Sequence, residues 1–458
     1  MKRTLQLLSF CLIACITYNA HSQTTIKFFD KVLFFDGYAG LVSDATYNSV
    51  SPTPLPAGLI RHRNDLYATK ISAAQLASIG TSLTMNVTIK ASCDNYDRIG
   101  NVNLALVPKG ATTYNPDDVK RIEIGRFITP FMNKNKMPDT VPYTYNIPNV
   151  ANLLRETSIT SVYDIWIELE EFGVPYAAQN EVAGCSGRTD VCFGTLEFVT
   201  NTPPAPVENT NVLLPLSFKK TLNNYDTAAT DQVGTTKRTI NFNLNTALTD
   251  AIFVLITSNH GANAGGEEYN RRNHFIYFDG NEVLMYKPGR TSCEPFRKYN
   301  TQGNGIYGSS PKSDAAWQSF SNWCPGDVIS TRIINLGPLP AGAHSFRIEV
   351  PDAVFANNEG YFPVSLYLQG KTSGVVLGIE DAAMANVHAT IFPNPSHDVF
   401  HIETDEKIED VSVFNLLGQK VFSGNSKQIN IANLPSGMYW AKINFANDKT
   451  ITRKLIKK

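Results

Sequence analysis

The sequence lacks a large net charge and, past its N-terminal segment, long hydrophobic runs. Forty basic and 41 acidic residues among 458 give a formal charge of -1, so the charge balance gives no reason to expect a nucleic-acid partner or an anionic surface. No later stretch is apolar enough to span a bilayer as a helix. The hydrophobic content of 43% and charged content of 18% are typical of a folded globular chain. This length favours two to four domains.

Metal-ligand patterns are also missing. The histidines between the two ends of the chain are His62, His260, His274 and His344, and none forms a His-His or His-x-His pair. One alternative considered for this chain is a copper monooxygenase that hydroxylates peptidyl-glycine, a class also built from paired jelly rolls. Such enzymes need histidine and methionine ligands for copper, so the lack of histidine pairs argues against this alternative. We therefore expect no metal and no other cofactor, and we interpret His260 and His274 as hydrogen-bonding loop residues.

The N-terminus has the pattern of an export signal. Two basic residues precede an apolar run from Leu5 to Thr17, and small residues before Gln23 form a cleavage site. These features predict a signal peptide over residues 1–22 and a secreted or cell-surface protein. An alternative is a lipobox at Leu12-Ile13-Ala14-Cys15, which would place a lipid anchor on Cys15.

Cysteines are few, and two of the seven lie in the signal. Pairing is the default in an oxidising compartment. Cys185 with Cys192 would close a short loop and Cys293 with Cys324 a longer one, which leaves Cys93 over. The sequence does not fix this connectivity.

Short alternating runs such as "LTMNVTIKAS", "AIFVLIT" and "SFRIEV" are separated by turn residues, whereas helical periodicity is weak. This pattern predicts an all-β protein of β-sandwiches or jelly rolls. A proline-rich linker at 201–207 separates predicted domains at 24–200 and 208–372. A further unit at 386–458 has strict alternation and sharp turns, which predict a small β-sandwich.

The most unusual motif is "SCDNYDRIGNV", with Asp94, Asp97 and Arg98 beside Cys93. On a strand, Asp97 and Arg98 would point to opposite faces, so Arg98 would not neutralise Asp97 directly. Taken alone, the motif is typical of a solvated turn or strand end. A buried carboxylate would need a partner or a function.

Two other stretches carry candidate acids. "DIWIELEEFG" places Trp166, Glu168 and Glu170 on one face of a strand, which suits either a cleft wall or a solvated face. "TSNHGANAGGEEYNRRNHFIYFDG" is a long polar loop that contains Glu267 and Glu268. Loops of this length in a β scaffold are often functional.

The C-terminal unit resembles the sorting domain of proteins exported by the type IX secretion system of Bacteroidetes. The resemblance rests on Pro393-Asn394-Pro395, Gly418, Leu434, Tyr439 and the basic end. It implies the type IX secretion machinery as a partner and export through the outer membrane.

The two central domains resemble the peptide-N-glycosidase F family. The matching segments are "IKFFDKV", "CDNYDRIGNV", "IEIGRFITPF", "GGEEYNRRNH" and "NWCPGD", in the family's order. The resemblance implies two adjacent eight-stranded jelly rolls with an active site in the cleft between them. It also implies hydrolysis of the amide that joins asparagine to N-acetylglucosamine, without a metal.

The family's catalytic residues can be carried over by position to Asp97, Arg98, Glu168 and Glu268. We expect four further residues to bind substrate: Tyr96, Tyr269, His274 and Trp323. The expected partners are N-glycosylated proteins or peptides, and the expected state is a monomer.

The sequence departs from the family pattern near its motifs. Gly266 and Asn270 stand where the family has a disulfide beside the loop glutamate, and Cys93 lacks its usual partner. We interpret Cys93 as the remnant of a lost disulfide and assign Asp94 a structural or rim role. These departures keep open the alternative of a non-catalytic glycan-binding or surface protein on the same fold.

Overall fold

The computed structural model describes residues 23–201, 210–261, 266–303, 305–319, 322–372, 389–404, 407–415, 419–445 and 450–458. The expected signal peptide, the lipobox-like stretch and nearly all of the linker lie outside these residues. In the described ranges, no helix is both long and apolar enough to cross a membrane. Antiparallel β-sheets dominate the fold, as the alternation predicted.

The first half of the chain forms two sheets, ordered β1-β9-β4-β7 and β6-β5-β8-β3-β2. Its strands are β1 (Gln23–Phe35), β2 (Ile60–Arg63), β3 (Leu66–Lys70), β4 (Leu83–Ala91), β5 (Ile99–Pro108), β6 (Lys120–Ile128), β7 (Thr140–Asn146), β8 (Tyr163–Glu171) and β9 (Asp190–Asn201). Its short helices are α1 (Asp44–Val50), α2 (Ala73–Ala77), α3 (Pro148–Leu154), α4 (Thr157–Thr160) and α5 (Ala178–Glu181). We call this half the first jelly roll.

The second jelly roll has two four-stranded sheets, ordered β10-β18-β12-β16 and β11-β17-β13-β14. Its strands are β10 (Asn211–Leu222), β11 (Lys237–Leu244), β12 (Leu248–Thr257), β13 (His274–Phe278), β14 (Asn281–Tyr286), β15 (Val328–Ile329), β16 (Arg332–Leu339), β17 (Gly342–Glu349) and β18 (Phe362–Lys371). Helix α6 (Asp314–Gln318) lies in a long connection. Strand β15 instead extends the second sheet of the first jelly roll to six strands. The described residues of the first half form nine strands, β1 to β9, to which β15 adds a tenth.

The C-terminal part forms its own small β-structure. Its two sheets are ordered β19-β20-β23 and β22-β21-β24-β25. The strands are β19 (Ala389–Phe392), β20 (Val399–Thr404), β21 (Ile408–Phe414), β22 (Lys420–Gly424), β23 (Gln428–Asn430), β24 (Gly437–Phe445) and β25 (Thr450–Lys457). Its core contains Phe400, Val413 and Tyr439. Residue contacts divide the chain into two compact units, one holding both jelly rolls and the other holding this part with two short segments.

Alternation explains the core of the first jelly roll. On β4, Met85, Val87 and Ile89 point inward and are fully buried, while the residues between them are partly exposed. Strand β5 differs because both of its faces are buried. Its polar Asn101 and Asn103 are 2% and 0% exposed, since they face the second jelly roll. The contact between the two jelly rolls therefore includes polar side chains, in addition to an apolar cluster of Ile128, Ile256, Trp323 and Ile329.

Two features join the jelly rolls. Strand β15 pairs with β6 through Val328 opposite Phe127 and Ile329 opposite Arg126. The fully buried Arg126 donates from Nη1 to Ser258 Oγ at 2.8 Å and to the Pro363 carbonyl at 2.9 Å. Backbone pairing and charge-assisted bonds thus cross the same boundary.

Candidate active site

The segment that carries Asp97 is a loop between β4 and β5, not a strand. Asp94 fixes the loop by accepting hydrogen bonds from Arg98 Nε at 2.7 Å, from the Tyr96 amide at 3.0 Å and from the Val174 amide at 2.7 Å. Arg98 is therefore held by Asp94, not by Asp97. This arrangement gives Asp94 the structural role that we expected.

A disulfide links this loop to the connection after α5. Cys93 and Cys185 are bonded, with their Cα atoms 5.4 Å apart, so the interpretation of Cys93 as a remnant is wrong. The pairing of Cys185 with Cys192 is also wrong, because Cys192 lies within β9 and its free thiol packs into the core. The disulfide between Cys293 and Cys324 is confirmed.

The second-jelly-roll loop presents Glu268 through a close backbone contact. Gly261 N–H donates to Glu268 Oε2 at 3.0 Å, and the Glu268 amide donates to the Gly261 carbonyl at 3.3 Å. Gly261 has a φ of +116° and lies against Gly360, where a Cβ on either residue would collide with the other strand of backbone. Glycine is required at both positions to bring this carboxylate into place.

Side-chain amides brace the same loop. Asn322 donates from Nδ2 to the carbonyls of Glu267 and Glu268 at 2.9 and 2.5 Å. Asn270 donates to the Gly266 carbonyl at 2.9 Å, at the positions where the family has a disulfide. The Glu267 carboxylate is fully buried and forms a two-pronged ion pair with Arg272. Glu267 is thus structural, and its neighbour Glu268 is left to face the site.

Asp97 and Glu268 come from different jelly rolls, and the charge of Glu268 acts on Asp97. Burial of its carboxyl group, reinforced by the nearby Glu268, raises the pKa of Asp97 to about 8, against the opposing effect of Arg98. Asp97 Oδ2 is buried and has no hydrogen-bond partner among the described residues. Burial also raises the pKa of Glu268, while the Gly261 N–H lowers it. Two acids in unequal environments suit proton transfer in both directions.

Tyrosines adjoin both acids in sequence, Tyr96 before Asp97 and Tyr269 after Glu268. Tyr96 lies under the Arg98 guanidinium at 5.4 Å, and Tyr269 adjoins Trp323 with ring centroids 6.4 Å apart. Trp323 is only 5% exposed, packs near Ile99 and donates from Nε1 to the Asn259 carbonyl. Substrate contact by Tyr96, Tyr269 and Trp323 stays a prediction.

His274 does not line the site. It is fully buried, its ring stacks on Tyr286 at 4.8 Å, and Nδ1 lies 3.0 Å from the Arg272 carbonyl. Burial lowers the pKa of His274 to about 3, so the ring is neutral. The expectation that His274 binds substrate is wrong, because the start of β13 turns this side chain into the core of the second jelly roll.

The sequence argument assigned Glu168 to the catalytic residues, but the structure holds it elsewhere. Its carboxylate accepts from Arg121 Nε and Nη2 at 2.9 and 2.7 Å, from Asn103 Nδ2 at 3.0 Å and from the Tyr114 hydroxyl at 2.7 Å. Glu168 pairs with Asn103 in the sheet, four residues along β5 from Ile99 and so roughly 13 Å from the strand end beside Asp97. It is a fully buried ion-pair partner, and the structure does not bring it to the acid pair.

Trp166, Glu168 and Glu170 do share one face of β8, as alternation predicted. Glu170 lies opposite Asn101, one step nearer the Asp97 loop than Glu168. It accepts from Arg63 at 2.8 Å and pairs with Lys219 of β10. This face of β8 therefore forms a wall of the cleft, and ion pairs to Arg63 and Lys219 cover it.

The sequence argument missed Glu171. It lies on the inward face of β8, where Gly100 leaves room for its carboxyl group, and its Oε2 has no hydrogen-bond partner within the described ranges. Burial, with a contribution from Asp94, raises its pKa well above the usual value. Glu171 lines a pocket beneath Tyr96 and Arg98 that has room for about one water molecule. The sequence did contain a sign of this buried acid: Glu171 occupies a position on β8 where the alternating pattern calls for an apolar residue.

The comparison with known families decides the assignment of this fold. The family described as "Peptide-N-glycosidase F, N terminal" matches residues 25–187, and "Peptide-N-glycosidase F, C terminal" matches residues 224–369. The chain belongs to the peptide-N-glycosidase F family. "Secretion system C-terminal sorting domain" matches residues 390–458, so this family member carries a sorting domain that indicates type IX secretion to the cell surface or exterior.

Solved structures of the family have the same fold at low sequence identity. Two crystal forms of PNGF-II match with TM-scores of 0.53 and 0.52, identities of 20% and 18%, and coverage of 76% and 78% of this chain. The match spans 65% and 66% of those proteins' own lengths. PNGase F from Flavobacterium meningosepticum, a glycosylasparaginase by its description, matches with a TM-score of 0.49 and 17% identity, over 77% of this chain and 97% of that one. The search of curated proteins returns no match.

Proposed function

We propose that this protein is a secreted amidase that hydrolyses the side-chain amide between asparagine and N-acetylglucosamine in N-glycosylated proteins or peptides. One observation carries the proposal. Asp97 and Glu268, from opposite jelly rolls, form an interacting acid pair in which Asp97 Oδ2 has no protein partner in the described part of the chain. Membership of the peptide-N-glycosidase F family supports the same reaction class.

The two acids suit the two proton transfers of amide hydrolysis. Glu268 takes a proton from water as the water oxygen forms a bond to the amide carbon. Asp97, protonated at neutral pH because its pKa is about 8, gives its proton to the amide nitrogen as the carbon–nitrogen bond breaks. The products are aspartate in the peptide and a glycosylamine, which decays to free glycan and ammonia, and the proton on Glu268 returns to Asp97 through solvent.

Arg98 supplies positive charge without taking a proton. Asp94 holds its Nε at 2.7 Å and its Nη2 at 3.3 Å, so the guanidinium is fixed beside the acid pair. A fixed positive charge stabilises the oxyanion that develops on the amide carbonyl. In this proposal Arg98 acts through position and charge, and Asp94 positions it.

The test is release of glycan from a fluorescent N-glycopeptide by the purified protein. We expect the free glycan to appear together with conversion of asparagine to aspartate, read by mass spectrometry. Glycan binding without any conversion would overturn the amidase and favour the non-catalytic glycan-binding alternative.

A further inference from the structure

A chain of hydrogen bonds leads from the first jelly roll to the loop that carries Glu268. It begins at Arg126 on β6, whose Nε and Nη2 hold the Glu123 carboxylate at 2.7 and 2.6 Å. That ion pair is fully buried. It leaves Nη1 of Arg126 to cross the boundary between the jelly rolls, where Nη1 donates to Ser258 Oγ at 2.8 Å. Glu123 thus fixes the direction in which Arg126 presents its remaining donor.

Ser258 passes this contact on to His260. Its Oγ lies 2.7 Å from Nε2 of the His260 ring. Because Oγ already accepts from Arg126, and because no other acceptor for its hydrogen lies among the described residues, the hydroxyl donates to Nε2. A neutral ring then carries its single proton on Nδ1. Loss of water around the ring, reinforced by the charge of Arg126, lowers the pKa of His260 to about 3, which agrees with a neutral ring.

The second jelly roll holds His260 as well. The ring has Trp323 and Tyr361 as aromatic neighbours, with centroids 6.4 and 5.7 Å away. The backbones of His260 and Tyr361 exchange two hydrogen bonds of 3.0 Å. The next residue, Gly261, donates its amide hydrogen to Glu268 Oε2 at 3.0 Å. A shift of His260 would therefore carry the Gly261 donor away from the Glu268 carboxylate.

We propose that Arg126 of the first jelly roll is a positioning residue for Glu268 of the second. It acts through Ser258 and His260, which hold the Gly261 amide in place. This inference rests on the proposed function, in which Glu268 takes a proton from water. The amide donor favours the ionised carboxylate and lowers its pKa, so losing the donor would leave Glu268 ionised over a narrower pH range. The relay thus ties the base to the jelly roll that supplies the acid.

The experiment removes the relay without touching either acid. We expect Ser258→Ala to lower kcat for the N-glycopeptide roughly fivefold, the factor that corresponds to one hydrogen bond of about 1 kcal/mol, while KM changes little. The acid limb of kcat/KM should move to higher pH, because Glu268 then holds its proton more tightly. The other titratable groups that face Glu268 are Asp97, Tyr269 and Tyr361. The variant leaves all three in place.

Two variants control for general damage. Ser258→Thr keeps a hydroxyl at this position and should retain the wild-type kcat and acid limb. Tyr145→Phe removes a different hydrogen bond to Arg126, the one that the Tyr145 hydroxyl donates to the Arg126 carbonyl at 2.7 Å. It should lower stability and leave the pH profile unchanged. Wild-type kinetics in Ser258→Ala, or the same shift of the acid limb in Tyr145→Phe, would overturn the proposal.

NMR spectroscopy keeps this inference distinct from the proposed function. In the wild type the His260 ring should carry its proton on Nδ1, and in Ser258→Ala the proton should no longer be confined to that nitrogen. If the wild type releases no glycan, the amidase proposal fails, and NMR titration of the Glu268 carboxyl group then decides the relay alone. A higher pKa of Glu268 in Ser258→Ala than in the wild type supports the relay. Equal pKa values, or a wild-type His260 with its proton on Nε2, overturn it.

Discussion

Two sets of carboxylates lie between the jelly rolls, and they differ in what faces them. Glu123 receives Arg126 at 2.7 and 2.6 Å, and Glu168 receives four donated hydrogen bonds. Asp97, in contrast, has an oxygen with no partner in the described ranges and a second carboxylate, Glu268, nearby. Burial is common to both sets, so burial alone does not identify a reactive acid. The missing partner, together with the second carboxylate nearby, distinguishes Asp97 from Glu123 and Glu168, because burial without a cationic partner raises the pKa of an acid.

Replacing Asp97 should have the largest effect on activity. We expect Asp97→Asn to lower kcat by about 10²- to 10⁴-fold, since amide cannot donate the proton to the leaving nitrogen. Far-UV circular dichroism should show an unchanged fold. Full activity in this variant, measured with the N-glycopeptide, would remove Asp97 from the site.

Replacing Glu168 should affect stability instead. We expect Glu168→Gln to lower the free energy of unfolding by about 3–5 kcal/mol, because Arg121 is then left as a buried charge without its counter-ion. Denaturant titration measures this loss, and kcat per folded molecule should stay near the wild-type value. A stable but inactive variant would show that Glu168 takes part in the reaction, and the distinction between paired and unpaired acids would then fail.

The pH dependence sharpens the distinction between paired and unpaired acids. With a pKa of about 8 for Asp97, kcat/KM should fall as pH rises through that value, because the acid loses its proton. Since the folded protein holds this proton more tightly than the unfolded chain does, the contribution of Asp97 to stability falls as pH rises from about 4 to 8. Asp97→Asn should therefore raise the melting temperature above pH 8 and have little effect near pH 4. An alkaline limb well below pH 7 would show that Asp97 is ionised when active.

The smallest of these effects belongs to the amide brace of the Glu268 loop. Asn322→Gly removes two hydrogen bonds to backbone carbonyls, each worth about 1 kcal/mol. We expect a roughly fivefold lower kcat with KM nearly unchanged, because Glu268 is positioned less firmly. Asn270→Ala, which removes only the bond to Gly266, is the matched comparison and should have the weaker effect. If Asn270→Ala lowered kcat more than Asn322→Gly did, the hydrogen bond from Asn270 would be the one that positions Glu268.

The all-β class and the C-terminal sandwich could be predicted because period-two alternation is a local signal, whereas the pair of jelly rolls was implied by the family resemblance. Asp97 and Glu268 were found through motif order, and the structure brings them together across two domains. Glu168 and His274 could not be placed in this way. Whether a polar residue on a strand meets solvent, an ion pair or a substrate depends on which other sheet covers that face, and residues far away in sequence decide it.

The disulfides show the same limit. Cys185 and Cys192 are close in sequence, yet Cys192 sits in the middle of three paired strands, where its direction is set by β1 and β4. Cys93 lies just past the end of β4, free of that constraint. Proximity along the chain therefore favoured the wrong partner.

The sheet that takes up β15 has a consequence for folding. Because a strand from beyond residue 320 completes a sheet built from the first half, neither jelly roll can finish its hydrogen bonding until nearly the whole of the two-domain region has been synthesised. The halves should then behave as one cooperative unit. Calorimetry would record a single unfolding transition for both jelly rolls, and native-state hydrogen exchange would protect β6 and β15 to the same degree.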